Sequence, residues 1–291
     1  YRLVISMISP NASENEPVTI VSPRADTVPA LFDSPHSGSN YPDDFDAAID
    51  HMHLRRMEDA FVDELFSAAP DFGATLITAR FSRGYLDANR SDLDIDPDVF
   101  KGWEGPTEPS EKSRGGKGLV WTHLHSLAPL YERVLTGDEV KARIETYWKP
   151  YHNAIACTYD ELHSQFGCVY HLDCHSMRAM GNIHDVDGES KRPDFVISDH
   201  EGQSCAPAFL ELVVGHLRAQ GFDVAVNFPF KGAELTRRYA DPAGGRHALQ
   251  IEINRKLYMD EASIEKNAGF NDLQDHMSKL AKAVCVFAAT S

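Results

Sequence analysis

Cys168-Val169-Tyr170-His171-Leu172-Asp173 runs directly into Cys174-His175-Ser176-Met177. The run is short, largely apolar and rich in strand-forming residues. It reads as a buried strand that delivers a histidine at its carboxyl end. A second strand, at residues 28–33, ends the same way, in Phe32-Asp33-Ser34-Pro35-His36-Ser37-Gly38. In open α/β sheets ligands bind beyond the carboxyl ends of the strands, so the two histidine motifs point to one shared site.

Outward from these two strands the pattern alternates. A helix is expected over 51–68, with Met57, Phe61, Leu65 and Phe66 on its apolar side. A strand at 73–80 follows. A long helical region spans 127–165, interrupted at Pro150, which cannot donate to the helix ladder. Further strands are expected at 194–198, 222–228 and 247–253. Helices are expected at 204–219, ending at Gly221, and at 271–288. The alternation gives a single α/β domain, its sheet mixed or largely parallel and flanked by helices. Residues 1–26, polar and proline-containing, read as a loose N-terminal arm, leaving 27–291 as the domain proper. Residues 91–118 have little periodicity and many Asp, Pro and Gly, so they are candidates for a lid over a site.

Composition excludes several classes. The 291 residues carry a net charge of −16 with no basic stripe, which argues against nucleic acid and anionic membrane surfaces as partners. No apolar run approaches the roughly 18–20 residues of a membrane helix. The first residues lack a signal-peptide core, so the expected compartment is the cytoplasm. Five cysteines without a CxxC spacing make neither a zinc ribbon nor a disulfide framework. A small molecule is the expected partner, and self-association into a homo-oligomer stays open.

The chemistry-bearing groups sit near the histidines. His36 and His175 are either metal ligands or polar residues at strand ends. Two imidazoles with one carboxylate is a hydrolytic metal-site composition that keeps a position open for water. Candidate carboxylates lie in Glu58-Asp59-Ala60-Phe61-Val62-Asp63, where Asp59 and Asp63, four apart, would share a helix face. Asp173 could orient a ligand or cap its strand. In Gln250-Ile251-Glu252-Ile253-Asn254 the polar residues alternate along one strand face. That is either the wet face of an edge strand or a carboxylate poised as general base. Arg90, Arg237 and Arg238 are candidate carboxylate clamps. Cys174 beside His175 invites a thiol mechanism, but adjacent strand residues point to opposite faces. Asp92-x-Asp94-x-Asp96 lacks the glycine and glutamate of a calcium loop. Gly115-Gly116-Lys117-Gly118 is not a phosphate loop, and no G-x-S-x-G elbow is present.

Together, nine short motifs in order over about residues 30–255 resemble the N-formylglutamate amidohydrolase (deformylase) family. They are Ser34-Pro35-His36-Ser37-Gly38 with Pro42, Glu58-Asp59 with Val62-Asp63 and Leu65-Phe66, and Asp87-Ala88-Asn89-Arg90. Next come Gly118-Leu119-Val120-Trp121, Tyr151-His152, Asp173-Cys174-His175-Ser176-Met177, Arg192-Pro193-Asp194-Phe195, Thr236-Arg237 and Gln250-Ile251-Glu252. The resemblance implies a fold similar to the zinc carboxypeptidases. It implies hydrolysis of the formyl amide of N-formyl-L-glutamate, or of a related N-acyl amino acid, in one route of histidine breakdown. It further implies a divalent metal, Zn²⁺ foremost, on His36 and His175. The histidine-x-x-glutamate spacing of related carboxypeptidases is absent, since Ser39 stands three residues after His36. Asp59 is therefore the expected third ligand, ahead of Glu58 and Asp63. In the same reading Glu252 is the base and His152 steadies the oxyanion. Arg90 and Arg237, with Asn89, bind the substrate carboxylates. A non-catalytic metal- and amino-acid-binding protein and a Cys174 thiol amidase are the competing readings.

Overall fold

In the computed structural model, which describes residues 16–124 and 128–291, one seven-stranded sheet organises the chain. In chain order the first half holds β1 (Val18–Val21), β2 (Ala30–Ser34), α1 (His51–Arg55), α2 (Val62–Leu65), β3 (Thr75–Ala79), α3 (Glu111–Arg114), α4 (Gly137–Arg143) and α5 (Lys149–Phe166). The second half holds β4 (Val169–Met177), β5 (Phe195–Ser198), α6 (Pro207–Ala219), β6 (Val224–Val226), α7 (Glu234–Tyr239), β7 (Arg246–Asn254), a small hairpin of β8 (Met259–Asp260) and β9 (Glu265–Lys266), and α8 (Phe270–Thr290). The strand order is β1-β3-β2-β4-β7-β5-β6. The central four strands, β3, β2, β4 and β7, run parallel, while β1 and β5 join antiparallel. The sheet is therefore mixed, as expected.

All nine residues of β4 are buried, yet its sequence alternates. Tyr170, Leu172 and Cys174 join Leu249, Ile251 and Ile253 of β7 in an apolar core with Phe209 and Val213 of α6 and Met277 and Leu280 of α8. The opposite face carries His171, Asp173 and His175, beside Gln250, Glu252 and Asn254, and all six are buried. A second apolar cluster, including Tyr151, Ile155 and Tyr159 of α5, covers that side further back. A strand at the centre of a sheet covered on both faces ordinarily reads as a continuous apolar run. Here one face is polar, and its ionisable groups are paired with carboxylates, His171 with Asp33 and His175 with Asp173.

Several expectations are corrected. The loose arm does not extend to residue 26, because Val18–Val21 forms an edge strand paired with Leu76–Ala79; residues 1–15 of that arm lie outside the described residues. The edge strand forms because Val18-Thr19-Ile20-Val21 supplies a β-branched run able to pair. The helix expected over 51–68 is broken into α1 and α2. Between them the Asp59 N–H donates to the His36 carbonyl at 2.9 Å, and Phe61 takes a left-handed conformation, φ 67°. Asp59 and Asp63 therefore do not share a helix face. Of the helix expected over 127–165, residue 127 lies outside the described residues, and among the described ones the helix begins at Gly137, where Thr136 and Glu139 form a capping box. The interruption near Pro150 comes as a π turn, Ile144–Trp148, with Pro150 in the first turn of α5 where its missing N–H is tolerated. β7 is no edge strand, since it lies between β4 and β5. Residues 91–118 are packed: Ile95 and Phe100 are buried, Ser110 caps α3, and Asp94 takes the Ser110 N–H at 2.8 Å.

Gly38 backs the His36 turn against the neighbouring chain. A Cβ there would meet the Arg80 and Phe81 backbone at 2.4–2.6 Å. Gly38→Ala is expected to cost about 1–3 kcal/mol through overpacking of rigid backbone, read as a lower urea midpoint with an unchanged slope.

Candidate active site

Three segments without regular structure in common meet at the carboxyl ends of β2 and β4. His36 is carried by the turn after β2, Asp59 by the break between α1 and α2, and His175 by β4. Ser37 ties the first two together, donating to the Asp59 carbonyl at 3.2 Å and accepting the Asp63 N–H at 3.1 Å. His36 Nδ1 and His175 Nδ1 are 3.1 Å apart, and Asp59 Oδ2 lies 3.3 Å from the first and 3.0 Å from the second. These three donors form the one cluster of its kind among the described residues. Their mutual spacing is close to the roughly 3.3 Å edge of a tetrahedron with bonds of about 2.0–2.1 Å, so the donor set fits a small divalent cation. The other expected carboxylates lie elsewhere. Glu58 bonds Tyr41 and lies 3.4 Å from Arg55 Nε, and Asp63 opens α2.

The far nitrogens of both imidazoles face carboxylates. His36 Nε2 lies 2.7 Å from Asp87 Oδ1, and His175 Nε2 lies 2.7 Å from Asp173 Oδ1. This arrangement holds each ring with Nδ1 turned inward and raises its basicity as a ligand. Asp87 is itself tied down by the Asn89 N–H at 3.0 Å, Trp121 Nε1 at 3.2 Å and Arg83 Nη2 at 3.0 Å. Asp59 Oδ1 pairs with Arg255 Nη2 at 3.0 Å and lies 3.8 Å from Arg83.

Burial alone would raise the Asp59 and Asp87 pKa values. Hydrogen bonds from His175 and His36 together with Arg83 hold Asp59 well below the usual range. The charges of His36, Arg83 and Arg90 do the same for Asp87. Burial disfavours a charged His175, but the carboxylates of Asp173 and Asp59 outweigh it and push its pKa well up.

Glu252 stands beside His175 in the β4–β7 register. Gln250 Nε2 donates to it at 2.9 Å. Burial pushes its pKa up to about 7, against the lowering effect of His175, while Asp59 adds to the rise. A carboxylate there titrates where a general base is most effective.

The remaining expected residues are distributed differently. Arg90 is near the cluster, 3.9 Å from Asp87 Oδ2, its Nη1 donating to the Asn89 carbonyl at 2.8 Å. Asn89 faces Asp173 Oδ2 at 3.2 Å and His175 Nε2 at 2.9 Å, so it supports a ligand from behind. Arg237 is largely exposed and pairs with Glu234 at 2.5 Å; Arg238 pairs with Glu234 and Asp92.

The oxyanion role expected of His152 is corrected. Its Nε2 donates to the Ala88 carbonyl at 2.9 Å and its Nδ1 lies 2.8 Å from the Tyr239 hydroxyl, so no donor is left for substrate. Burial lowers its pKa to about 3, keeping it neutral. The Cys174 thiol faces the apolar core, 3.3 Å from the Leu172 carbonyl, and burial pushes its pKa far up, which removes the thiol mechanism. Arg83 and Arg255 carried no signal in the sequence. Asp87 lies in Asp87-Ala88-Asn89-Arg90, where nothing local points to its pairing with His36.

Comparisons with known proteins place the chain among relatives of one family. Residues 28–259 match the family model described as N-formylglutamate amidohydrolase. The chain is 33% identical over 239 residues to an N-formylglutamate deformylase of Pseudomonas putida, covering 80% of this chain and 83% of that one. It is 30% identical over 248 residues to the Pseudomonas aeruginosa deformylase, covering 83% and 86%. The crystal structure of an N-formylglutamate amidohydrolase from Ralstonia eutropha JMP134 superposes with a TM-score of 0.90 at 40% identity, covering 94% of this chain and 98% of the other.

Arg255→Leu is expected to destabilise the fold by about 3–5 kcal/mol, because it breaks a buried ion pair to Asp59 and leaves the Glu58 carbonyl and the Ser176 hydroxyl without that guanidinium. Denaturant unfolding measures it; an unchanged midpoint would show that Asp59 is not buried as an anion.

Proposed function

Since the chain belongs to the N-formylglutamate amidohydrolase family and is a hydrolase acting on an amide, we propose that it cleaves the formyl amide of N-formyl-L-glutamate, or of a related N-acyl amino acid, at a metal site formed by His36, Asp59 and His175. The observation that carries this reading is the meeting of these three donor atoms within 4.8 Å of one another, beside a carboxylate, Glu252, held near neutrality. The two-nitrogen, one-oxygen donor set suits zinc, which when bound supplies Lewis acidity to the scissile carbonyl and lowers the pKa of a nearby water.

The chain's own residues supply the rest. Glu252 takes a proton from the attacking water and returns it to the departing amine as the C–N bond breaks, leaving formate and the free amino acid. Arg83 takes the electrostatic role first assigned to His152. Its guanidinium lies between Asp59 and Asp87, and its buried Nε has no acceptor among the described residues. Arg90 anchors a substrate carboxylate. Asn89 works through Asp173 on the His175 ring, while Arg237 pairs with Glu234 on α7. The reaction is a step of histidine breakdown in the cytoplasm, as the family's substrate suggests.

Glu252→Gln is expected to lower kcat about 10²–10⁴-fold while calorimetry shows L-glutamate binding within about twofold of the wild type. Unchanged turnover would remove Glu252 as the base. Elemental analysis is expected to find one divalent metal per wild-type chain and none in His175→Ala. Undiminished turnover of N-formyl-L-glutamate after exhaustive chelation would overturn the metal assignment.

A further inference from the structure

The Asp87–Arg90 turn brings three groups to the cluster: Asp87 holds His36, Asn89 reaches Asp173, and the Arg90 guanidinium lies 3.9 Å from Asp87. No strand ladder holds this turn. Two of its carbonyls are instead caught from behind. His152 Nε2 donates to Ala88 O at 2.9 Å, and Trp148 Nε1 donates to Arg90 O at 2.9 Å. The two donors are four residues apart and share one helix face. Their rings stack at 3.8 Å with an interplanar angle of 18°, and both are buried.

The support closes on itself. The Ala88 carbonyl can only accept, so His152 Nε2 carries the imidazole proton, while Nδ1 lies 2.8 Å from the Tyr239 hydroxyl of α7, which also donates to the His152 carbonyl at 3.1 Å. One turn earlier on α7, the Leu235 N–H donates to Asn89 Oδ1 at 2.9 Å. Tyr239 in turn stacks on Tyr159 of α5, with ring centroids 5.5 Å apart. Trp148 is the last residue of the π turn. Before that turn, Arg143 of α4 serves a different region, bonding Tyr85 O and the Tyr131 hydroxyl. The wider π turn offsets the helix face between the two segments, which is how a π turn commonly serves a functional position.

We propose that Trp148 and His152 are positioning residues: by holding the carbonyls of Ala88 and Arg90 they set the aim of Arg90 toward the substrate and of Asn89 toward Asp173. The assignment rests on the reading above, in which Arg90 receives a substrate carboxylate. The neutrality of His152, imposed by its burial, keeps the arrangement constant across the working pH range.

Trp148→Phe and His152→Phe keep the stacked rings and remove one donor each. Each is expected to raise KM for N-formyl-L-glutamate about tenfold, the loss of one net hydrogen bond, with kcat within about threefold. His152→Gln, which restores an N–H donor, is expected to bring KM back within about threefold of wild type. The double Phe variant is expected to raise KM by less than the product of the single effects, since both donors hold one turn.

Hydrogen exchange over residues 86–91 reads the same frame without turnover. It is expected to quicken about tenfold in both Phe variants, again one net hydrogen bond, while α5 keeps its protection. A wild-type protein that hydrolyses no formyl substrate, with 86–91 loosened in the variants, defeats the functional reading and supports the frame. Wild-type KM in active Phe variants, or unchanged exchange at 86–91, overturns it. A lowered thermal midpoint with unaltered KM does so as well, because it marks a purely structural role.

Discussion

A row of ionisable side chains buried at the centre of a sheet is the constraint on which the molecule depends. His171, Asp173 and His175 on β4, and Glu252 on β7, sit where parallel sheets normally bury Val, Ile and Leu. Burying such groups unpaired is strongly unfavourable, so each must find a partner. Asp33 answers His171 at 2.6 Å, Asp173 answers His175, and Asp59 lies between His175 and Arg255. The surrounding loops are shaped by that requirement. The break before α2, the Asp87–Arg90 turn and the residues after β7 each bring a counter-charge to the same spot.

The electrostatic balance around the cluster bears on the chemistry. Four carboxylates, Asp59, Asp87, Asp173 and Glu252, face three guanidiniums, those of Arg83, Arg90 and Arg255. The carboxylates push the His175 pKa well up, so they draw a positive charge to the donor atoms, which a cation there would supply in place of that proton. The guanidiniums stand outside the donor triad, where they hold the carboxylates ionised and leave positive potential for an anionic substrate. A protein of net charge −16 thus gathers three guanidiniums against the buried carboxylates of one cluster. Burial lifts Glu252 into the neutral range while guanidiniums and imidazoles depress Asp59 and Asp87. Neighbouring acids are in this way driven to different roles.

Much of this was legible in the residues. Both histidines were placed at strand ends, and Asp33 and Asp173 marked where those strands turn polar while still buried. The alternation in Gln250-Ile251-Glu252-Ile253-Asn254 marked the second polar strand, although an edge strand would have produced the same pattern. Local pattern was misleading where tertiary contacts override it. Met57, Phe61, Leu65 and Phe66 have helical spacing, but the backbone between α1 and α2 gives up its helix to bond His36. His152 carried a catalytic residue type, and its donor went to a backbone carbonyl. Arg255 and Arg83 were invisible because an arginine's partner is set by the fold and not by its neighbours in sequence.

What the sequence determined by itself is what depends on short range. Strand and helix alternation, the carriage of His36 and His175 at strand ends and the family motifs all follow from residues within a few positions of one another. What only the tertiary structure decided is which distant groups share a charge. The carboxylate of Asp59 lies against both His36 and His175, Asp87 is paired with His36, and Glu252 is set beside His175 by a β4–β7 register that links positions 77 residues apart. The physical reason is that burial makes each of these ions need a partner, and a partner at hydrogen-bond distance exists only once the sheet has assembled.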